Sequence, residues 1–259
     1  MRGNNNDRGR TKQVEIFTNY VKESSNIVFF GGAGASTDSG IPDFRSKDGL
    51  YNQHDVEFDV YVPEYLLSHV CLYYNQKVFF EYYRQKLDTH DIKPNITHYT
   101  VAALEKAGKL TSIVTQNIDG LHQKAGRIRV HEIHGTTARN YCASCHKSYS
   151  ADYIFTSNEP IPSCSCGGFV RPDVTMYGES LPEKAVEEAI HDISRADMLI
   201  IAYISLAVYP AASYIGYFRG KHLAVINRDR INVRLREQDI FLQMPMGEVF
   251  KMLCDTLGL

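Results

Sequence analysis

Short, wholly apolar runs alternate along this chain with longer stretches in which apolar residues recur every three to four positions. Val14, Ile16, Phe17, Tyr20 and Val21 have the helical spacing, and Asn26–Phe30 then reads as a buried strand. Further short apolar runs at Ser112–Thr115, Val130–His134, Met198–Ala202, His222–Ile226 and Asp239–Leu242 predict strands. Between several of them, Thr97–Lys106, Glu183–Ser194, Tyr209–Arg219 and Pro245–Leu257 carry helical patterns. Strands alternating with helices predict an α/β fold, a mostly parallel sheet covered on both faces, with ligand sites at the carboxyl ends of the strands. Two stretches break the alternation: a tyrosine-rich, helical insert over 48–93 and a cysteine-bearing insert over 136–172. Together they predict a small domain inserted into a larger one made of 13–47, 94–135 and 173–259, behind a polar tail at 1–12.

Composition changes this picture little. The 259 residues are 44% hydrophobic and 22% charged, as in an ordinary globular protein with a sizeable core. A formal charge of −2 supplies no overall attraction to nucleic acid or an anionic membrane, so neither is an expected partner. No stretch approaches the roughly 20 apolar residues of a membrane span, and the opening MRGNNNDRGRTKQ lacks the apolar core of a secretory signal. The expected location is therefore the cytoplasm.

The candidate chemistry falls where the pattern puts ligands. Gly31-Gly32-Ala33-Gly34-Ala35-Ser36 follows the first strand, where glycine lets backbone approach a diphosphate or simply permits a tight turn. Asp43-Phe44-Arg45 then adds a carboxylate, an aromatic plate and a phosphate-binding guanidinium, a set suited to holding a pyridinium leaving group beside a diphosphate. Gln116, Asn117 and Asp119 lie just past the end of another strand. Such polar side chains are costly to bury without partners, so they line a ligand pocket or cap the next helix. His134, ahead of Gly135, ends the next strand at the same edge and is either a structural histidine or a general base near neutral pH.

Four of the six cysteines form two close pairs, Cys142 with Cys145 and Cys164 with Cys166. Their spacing suits a tetrahedral zinc closed by four thiolates, one structural metal per chain, with redox chemistry the minor alternative. The second pair is one residue tighter than the usual spacing, and His146 stands where such knuckles often have glycine.

Taken in order, GAGASTDSGIPDFRS, TQNIDGLHQKAG, the EIHG box, the two cysteine pairs, RPDVTMYGESLP and the VIN segment resemble the sirtuins, the NAD-dependent protein deacylases, and most closely the bacterial type. The resemblance runs from about Ile27 to Phe250. It implies a Rossmann-like domain with a small helical and zinc-binding domain, NAD as co-substrate, and an acylated protein or peptide as the second substrate. On the same basis Ala33, Ser36, Thr37, Phe44 and Arg45 would contact the cofactor, with Asp43 near the nicotinamide amide. Gln116, Asn117, Ile118 and Asp119 would line the nicotinamide and ribose pocket, Asn117 and Asp119 taking part in catalysis. His134 would be the base acting on a ribose hydroxyl after the acyl oxygen has displaced nicotinamide. Val174, Tyr177, Gly178 and Glu179 match the segment that accepts the substrate peptide as an added strand. Asn227 matches the adenosine-ribose contact, and Ile240 lies near the adenine edge.

Two departures qualify the resemblance. Where the family has a Gly-Thr-Ser or Gly-Ser-Ser turn on the ribose and phosphate side of NAD, this chain reads Ala202-Tyr203-Ile204-Ser205, of which only Ser205 survives as a cofactor contact. Tyr203 then either points outward harmlessly or weakens the nucleotide site. The tyrosine and arginine three apart that suit acidic acyl groups are also missing, since Tyr82 has Gln85 and Tyr83 has Lys86 at that spacing. Acetyl or longer neutral groups are expected as cargo. The rival expectations are NAD hydrolysis or ADP-ribosyl transfer without a lysine substrate, and a non-catalytic binding module with an impaired NAD site.

Overall fold

The computed structural model describes residues 4–127, 129–202, 211–231 and 233–259. Strands β1 (Ile27–Gly31), β2 (Leu110–Thr115), β3 (Val130–Glu132), β7 (Met198–Ala202), β8 (His222–Ile226) and β9 (Ile240–Leu242) form one six-stranded sheet in the order β3-β2-β1-β7-β8-β9. Every neighbouring pair is parallel. All residues of β1, β7 and β8 are buried, which is why these strands read as unbroken apolar runs rather than alternating ones.

Helices α1 (Asn4–Glu23), α5 (Ile96–Lys106) and α9 (Met246–Leu257) cover one face around Phe17, Phe29, Leu104 and Phe250. Helix α8 (Glu183–Arg195) and a 3-10 turn at Ala211–Tyr217 cover the other around Phe30, Ile193, Leu199 and Phe218. The chain builds β1-β2-β3 outward on one side and then returns to build β7-β8-β9 on the other, so the strand order reverses between β1 and β7. Above that point the carboxyl ends diverge and leave a crevice, as in Rossmann-like sheets.

Inside the two inserts, helices α2 (Pro63–Leu66), α3 (His69–Tyr74) and α4 (Gln76–Leu87) pack with a three-stranded antiparallel sheet, β5-β4-β6, built from β4 (Gly135–Cys142), β5 (Ser148–Ser150) and β6 (Val170–Val174). A short helix, α7 (Asp152–Phe155), joins them around a shared core of Phe79, Phe80, Tyr83, Ile154 and Val170.

Three features differ from the sequence expectations. The polar N-terminal segment expected as a tail over 1–12 is helical from Asn4, as the first part of α1. His134 lies between β3 and β4 rather than at a strand end. There the chain turns through Gly135, whose φ of +76° and close approach to the Asp173 carbonyl leave no room for a Cβ. The strands β4 and β6 carry no clean period-2 pattern, because the β4–β6 register shifts between Thr136 and Asn140.

Candidate active site

The glycine loop leaves β1 at the strand-order reversal and is tied to both neighbours there. Gly32 N–H donates to the Ala202 carbonyl at 3.2 Å, and Gln116 N–H donates to the Gly31 carbonyl at 3.0 Å. Asn95, which caps α5 through Thr97 N–H, also donates from Nδ2 to the Ala35 carbonyl (2.8 Å) and Ser39 Oγ (3.0 Å). The loop is thus fixed by the helix cap beneath it.

A cleft of about 1070 Å³ opens above, between the large sheet and the small domain. Of the residues singled out by sequence, Ala33, Asp43, Phe44, Arg45, Gln116, Asn117, Ile118, His134, Val174, Tyr177, Gly178, Glu179 and Asn227 all line it.

Ser36, Thr37, Asp119 and Ile240 do not line the cleft. Buried Ser36 donates from Oγ to Asp119 Oδ2 at 2.6 Å and accepts from Asn117 Nδ2 at 3.0 Å, so Ser36 and Asp119 stand behind Asn117 and fix its amide. The other oxygen of Asp119 accepts from Leu121 N–H at the start of helix α6 (Leu121–Lys124). Asn117 thus lines the cleft, while Asp119 braces the first turn of α6 from just ahead of its N-cap, Gly120. Thr37 is exposed and bonds to the Gly34 carbonyl, while Ile240 opens β9 and packs toward the core. Tyr203, Ile204 and Ser205 lie outside the described residues.

His134 Nδ1 is 3.0 Å from the backbone oxygen of Gln116. A carbonyl only accepts, so Nδ1 carries the proton and Nε2 keeps its lone pair. Burial lowers the His134 pKa from its usual 6.5, partly offset by the Gln116 carbonyl, so the ring favours its neutral, basic form. Gln116, which lines this cleft, contributes a second feature: its side-chain Nε2 is buried and has no hydrogen-bond partner among the described residues. An unpaired buried amide is costly, and an acceptor such as a carboxamide oxygen would satisfy it. The residues present thus fit the nicotinamide end of NAD.

Asp43 turns its carboxylate back on its own loop, accepting from Arg45 N–H (2.9 Å) and Ser46 N–H (2.7 Å). Glu179 is likewise committed to structure. Its carboxylate takes a two-point contact from Arg171 (2.6 and 2.8 Å), the Met176 N–H at 3.0 Å and His69 Nδ1 at 3.0 Å. Burial opposes ionisation, but Arg171 and His69 outweigh it and hold the Glu179 pKa down at about 2. Arg171, His69 and Tyr51 are site-shaping residues that sequence reasoning did not single out. Arg171 sits inside the RPDV string, whereas the other two lie in the helical insert with no local signature.

The sulfurs of Cys142, Cys145, Cys164 and Cys166 lie within 4.8 Å of one another, with Cys142–Cys166 at 3.5 Å and Cys145–Cys164 at 3.7 Å. A tetrahedral Zn with Zn–S of about 2.3 Å requires S–S edges of roughly 3.8 Å, which this set matches. His146 takes a φ of +58° and Gly167 one of +89° after their respective pairs, the left-handed turn that explains why glycine suits the His146 position. All six cysteines are free of disulfides.

Residues 32–210 match the model of the Sir2 family. This chain belongs to the Sir2 family. It is 48% identical over 232 residues to an NAD-dependent protein deacetylase of Clostridium acetobutylicum, covering 89% of this chain and 94% of that one. Among solved structures, a Sir2 variant with a deacetylated peptide and 3'-O-acetyl-ADP-ribose superposes with a TM-score of 0.84 at 31% identity, covering 95% of this chain and 99% of that one. A Sir2–peptide–NAD+ complex gives 0.79 at 33% identity, covering 93% and 97%.

Proposed function

We propose that this Sir2-family protein removes acyl groups, acetyl above all, from protein lysines with NAD as co-substrate, releasing nicotinamide and O-acyl-ADP-ribose. NAD supplies a ribose bond to a positively charged leaving group, so no redox step is needed. The observation that carries the reading is His134. Its neutral ring, whose Nε2 has no partner among the described residues, lines the same cleft as Gln116, with its unpartnered Nε2, and the 174–179 edge.

The roles follow from position. Ala33, Phe44 and Arg45 would hold the cofactor over the glycine loop, with Ser36 and Thr37 stabilising that loop from outside the cleft and Asp43 shaping the turn that presents Phe44. Gln116, Asn117 and Ile118 would receive the nicotinamide and its ribose, Asp119 acting through Ser36 on the Asn117 amide. His134 Nε2 would take a proton from a ribose hydroxyl. Val174 and Gly178 would pair with the peptide backbone, with Tyr177, whose N–H and carbonyl are bonded to Leu67 and His69, and Glu179 bracing that edge. Asn227 would meet the adenosine ribose, Ser205 and Ile240 completing that end. Cys142, Cys145, Cys164 and Cys166 would hold one zinc whose four positions they fill, so its contribution is to stability.

Acyl preference follows from where the cations are spent. Lys86 pairs with Asp55 at 3.1 Å, and Arg84 donates to the carbonyls of Ile154 and Glu159, at 2.8 and 2.7 Å. Among the described residues Arg45 is the only lysine or arginine lining the cleft, whereas Phe44, Leu67, Ile118, Val174 and Met176 give it an apolar wall. A neutral acyl chain suits that wall. Four free thiols kept for a metal also suit a reducing compartment such as the cytoplasm.

Nicotinamide release measured with and without an acetylated peptide tests the proposal. Release that requires the peptide supports it; equal release without peptide would make the protein an NAD hydrolase instead. No release, together with no calorimetric NAD binding at millimolar concentration, would make it a binding module.

A further inference from the structure

Helix α3 borders the 174–179 edge and turns two uncharged stripes toward solvent. Residues four apart share a helix face, so His69 stands over Tyr73 and Val70 over Tyr74, while Cys71 and Leu72 turn inward and are buried. No Asp, Glu, Lys or Arg occurs in His69–Tyr74. Tyr74 is 84% exposed, Val70 53% and Tyr73 39%, so this short helix leaves three large apolar side chains uncovered. Single exposed apolar residues are ordinary on a protein surface, but adjacent ones beside a ligand cleft mark a contact face.

The face is already built and already joined to the edge. The His69 and Tyr73 rings are stacked, 4.3 Å apart at 26°, and Phe169 meets Tyr73 edge-on at 5.3 Å. His69 Nδ1, 3.0 Å from Glu179 Oε1, fixes the outer ring of the stack. Tyr177 N–H donates to the Leu67 carbonyl (3.0 Å), and the Tyr177 carbonyl accepts from His69 N–H (2.9 Å). The Tyr177 hydroxyl in turn accepts from Arg45 Nη2 (3.0 Å) and Tyr51 Oη (2.9 Å), so the edge is held without a ligand. At Gly178 a Cβ would lie 3.9 Å from the Cβ of His69. A strand added at Gly178 therefore runs beside the stack.

We infer that α3 is a specificity surface for the substrate chain: the His69–Tyr73 stack, widened by Val70 and Tyr74, receives an aromatic side chain that flanks the acyl-lysine. This rests on the deacylase reading for the identity of the strand along 174–178. The chemistry of the occupant follows from the surface. Rings locked in place gain contact area with another ring at little cost in freedom. A carboxylate, ammonium or guanidinium laid on the same face would lose water and find no opposite charge there. The charges of Arg171 and Glu179, at the end of the edge, are spent on each other.

The test is calorimetric titration of the full chain with acetyl-lysine peptides in which each residue flanking the acyl-lysine is in turn Ala, Phe, Asp or Arg. The kcat/KM of the same peptides is measured with NAD. At one flanking position Phe should bind about five- to thirtyfold tighter than Ala, the yield of burying part of a ring, and the gain in turnover should lie in KM. Asp and Arg there should gain nothing over Ala. Tyr73→Ala should bring the Phe-to-Ala ratio close to one, and the Val70→Asn, Tyr74→Ser double variant should reduce it at least twofold. The double variant alters only exposed side chains, so it decides the matter if Tyr73→Ala, which also loses the Phe169 contact, does not fold. The inference is overturned if no position prefers Phe, if Asp or Arg is preferred instead, or if the preference survives undiminished in the folded variants. A Phe preference in binding without any NAD-dependent turnover would count against the deacylase reading and leave the specificity surface standing.

Discussion

His134 donates from Nδ1 to the backbone carbonyl of Gln116 at 3.0 Å, and the buried side-chain Nε2 of that same Gln116 has no partner among the described residues. One residue therefore fixes the tautomer of the proposed base with its backbone and, in the proposed function, would offer its side-chain donor to the ligand. Replacing the base should remove the chemistry without removing the fold: His134→Ala should lower kcat by a factor of about 100 to 10,000. Thermal melting should stay close to wild type.

The same pair sets a pH dependence. Burial lowers the His134 pKa below 6.5, and the required form is the neutral one, present above that pKa. Activity should therefore persist through neutral pH and fall as pH drops through a midpoint below 6.5. A pH profile of kcat/KM reads this limb in the free enzyme.

Buried Arg171 and half-buried Glu179 form a pair that closes the 174–179 turn on itself. Arg171→Ala leaves the Glu179 charge with only His69 and the Met176 N–H as partners and should cost about 2–3 kcal/mol in denaturant unfolding. Because the folded-state pKa of Glu179 is held at about 2 against an ordinary 4.5, its contribution is complete above about 4.5. It is lost as pH falls from there toward 2. Wild-type stability should decline over that window, and a Glu179→Gln variant should decline less steeply.

Elemental analysis should find one zinc per chain. Cys164→Ser, or a strong chelator, should destabilise the β4-β5-β6 sheet by about 4 kcal/mol or more, the scale of losing a structural metal. Near-ultraviolet circular dichroism of the tyrosine-rich small domain checks this.

With Lys86 and Arg84 both engaged elsewhere, acetyl-lysine peptides should turn over faster than succinyl-lysine peptides. Leaving an unpaired carboxylate against Ile118, Val174 and Met176 should cost at least tenfold in kcat/KM. Parallel assays of peptides differing only in the acyl group measure the ratio.

How much of this was legible beforehand depended on the kind of signal. Strands buried on both faces leave unbroken apolar runs, so Met198–Ala202 and His222–Ile226 could be read with their observed bounds. The cysteine spacing was equally direct, and the clustered sulfurs match it. The residues around the cleft were harder. Glu179 reads as a peptide contact from its motif, yet its carboxylate is filled by partners 8 and 110 residues away in the chain. Tyr51 carries no pattern at all, because its role depends on Tyr177, 126 residues distant. Strand β4 was hidden because its register against β6 shifts between Thr136 and Asn140, which breaks the alternation along it.

The most direct test of the account is product analysis by mass spectrometry after incubating the protein with NAD and an acetylated peptide. Nicotinamide, deacetylated peptide and O-acetyl-ADP-ribose should form in equal amounts. Free ADP-ribose formed at the same rate without peptide, or deacetylation that proceeds without NAD, would contradict it.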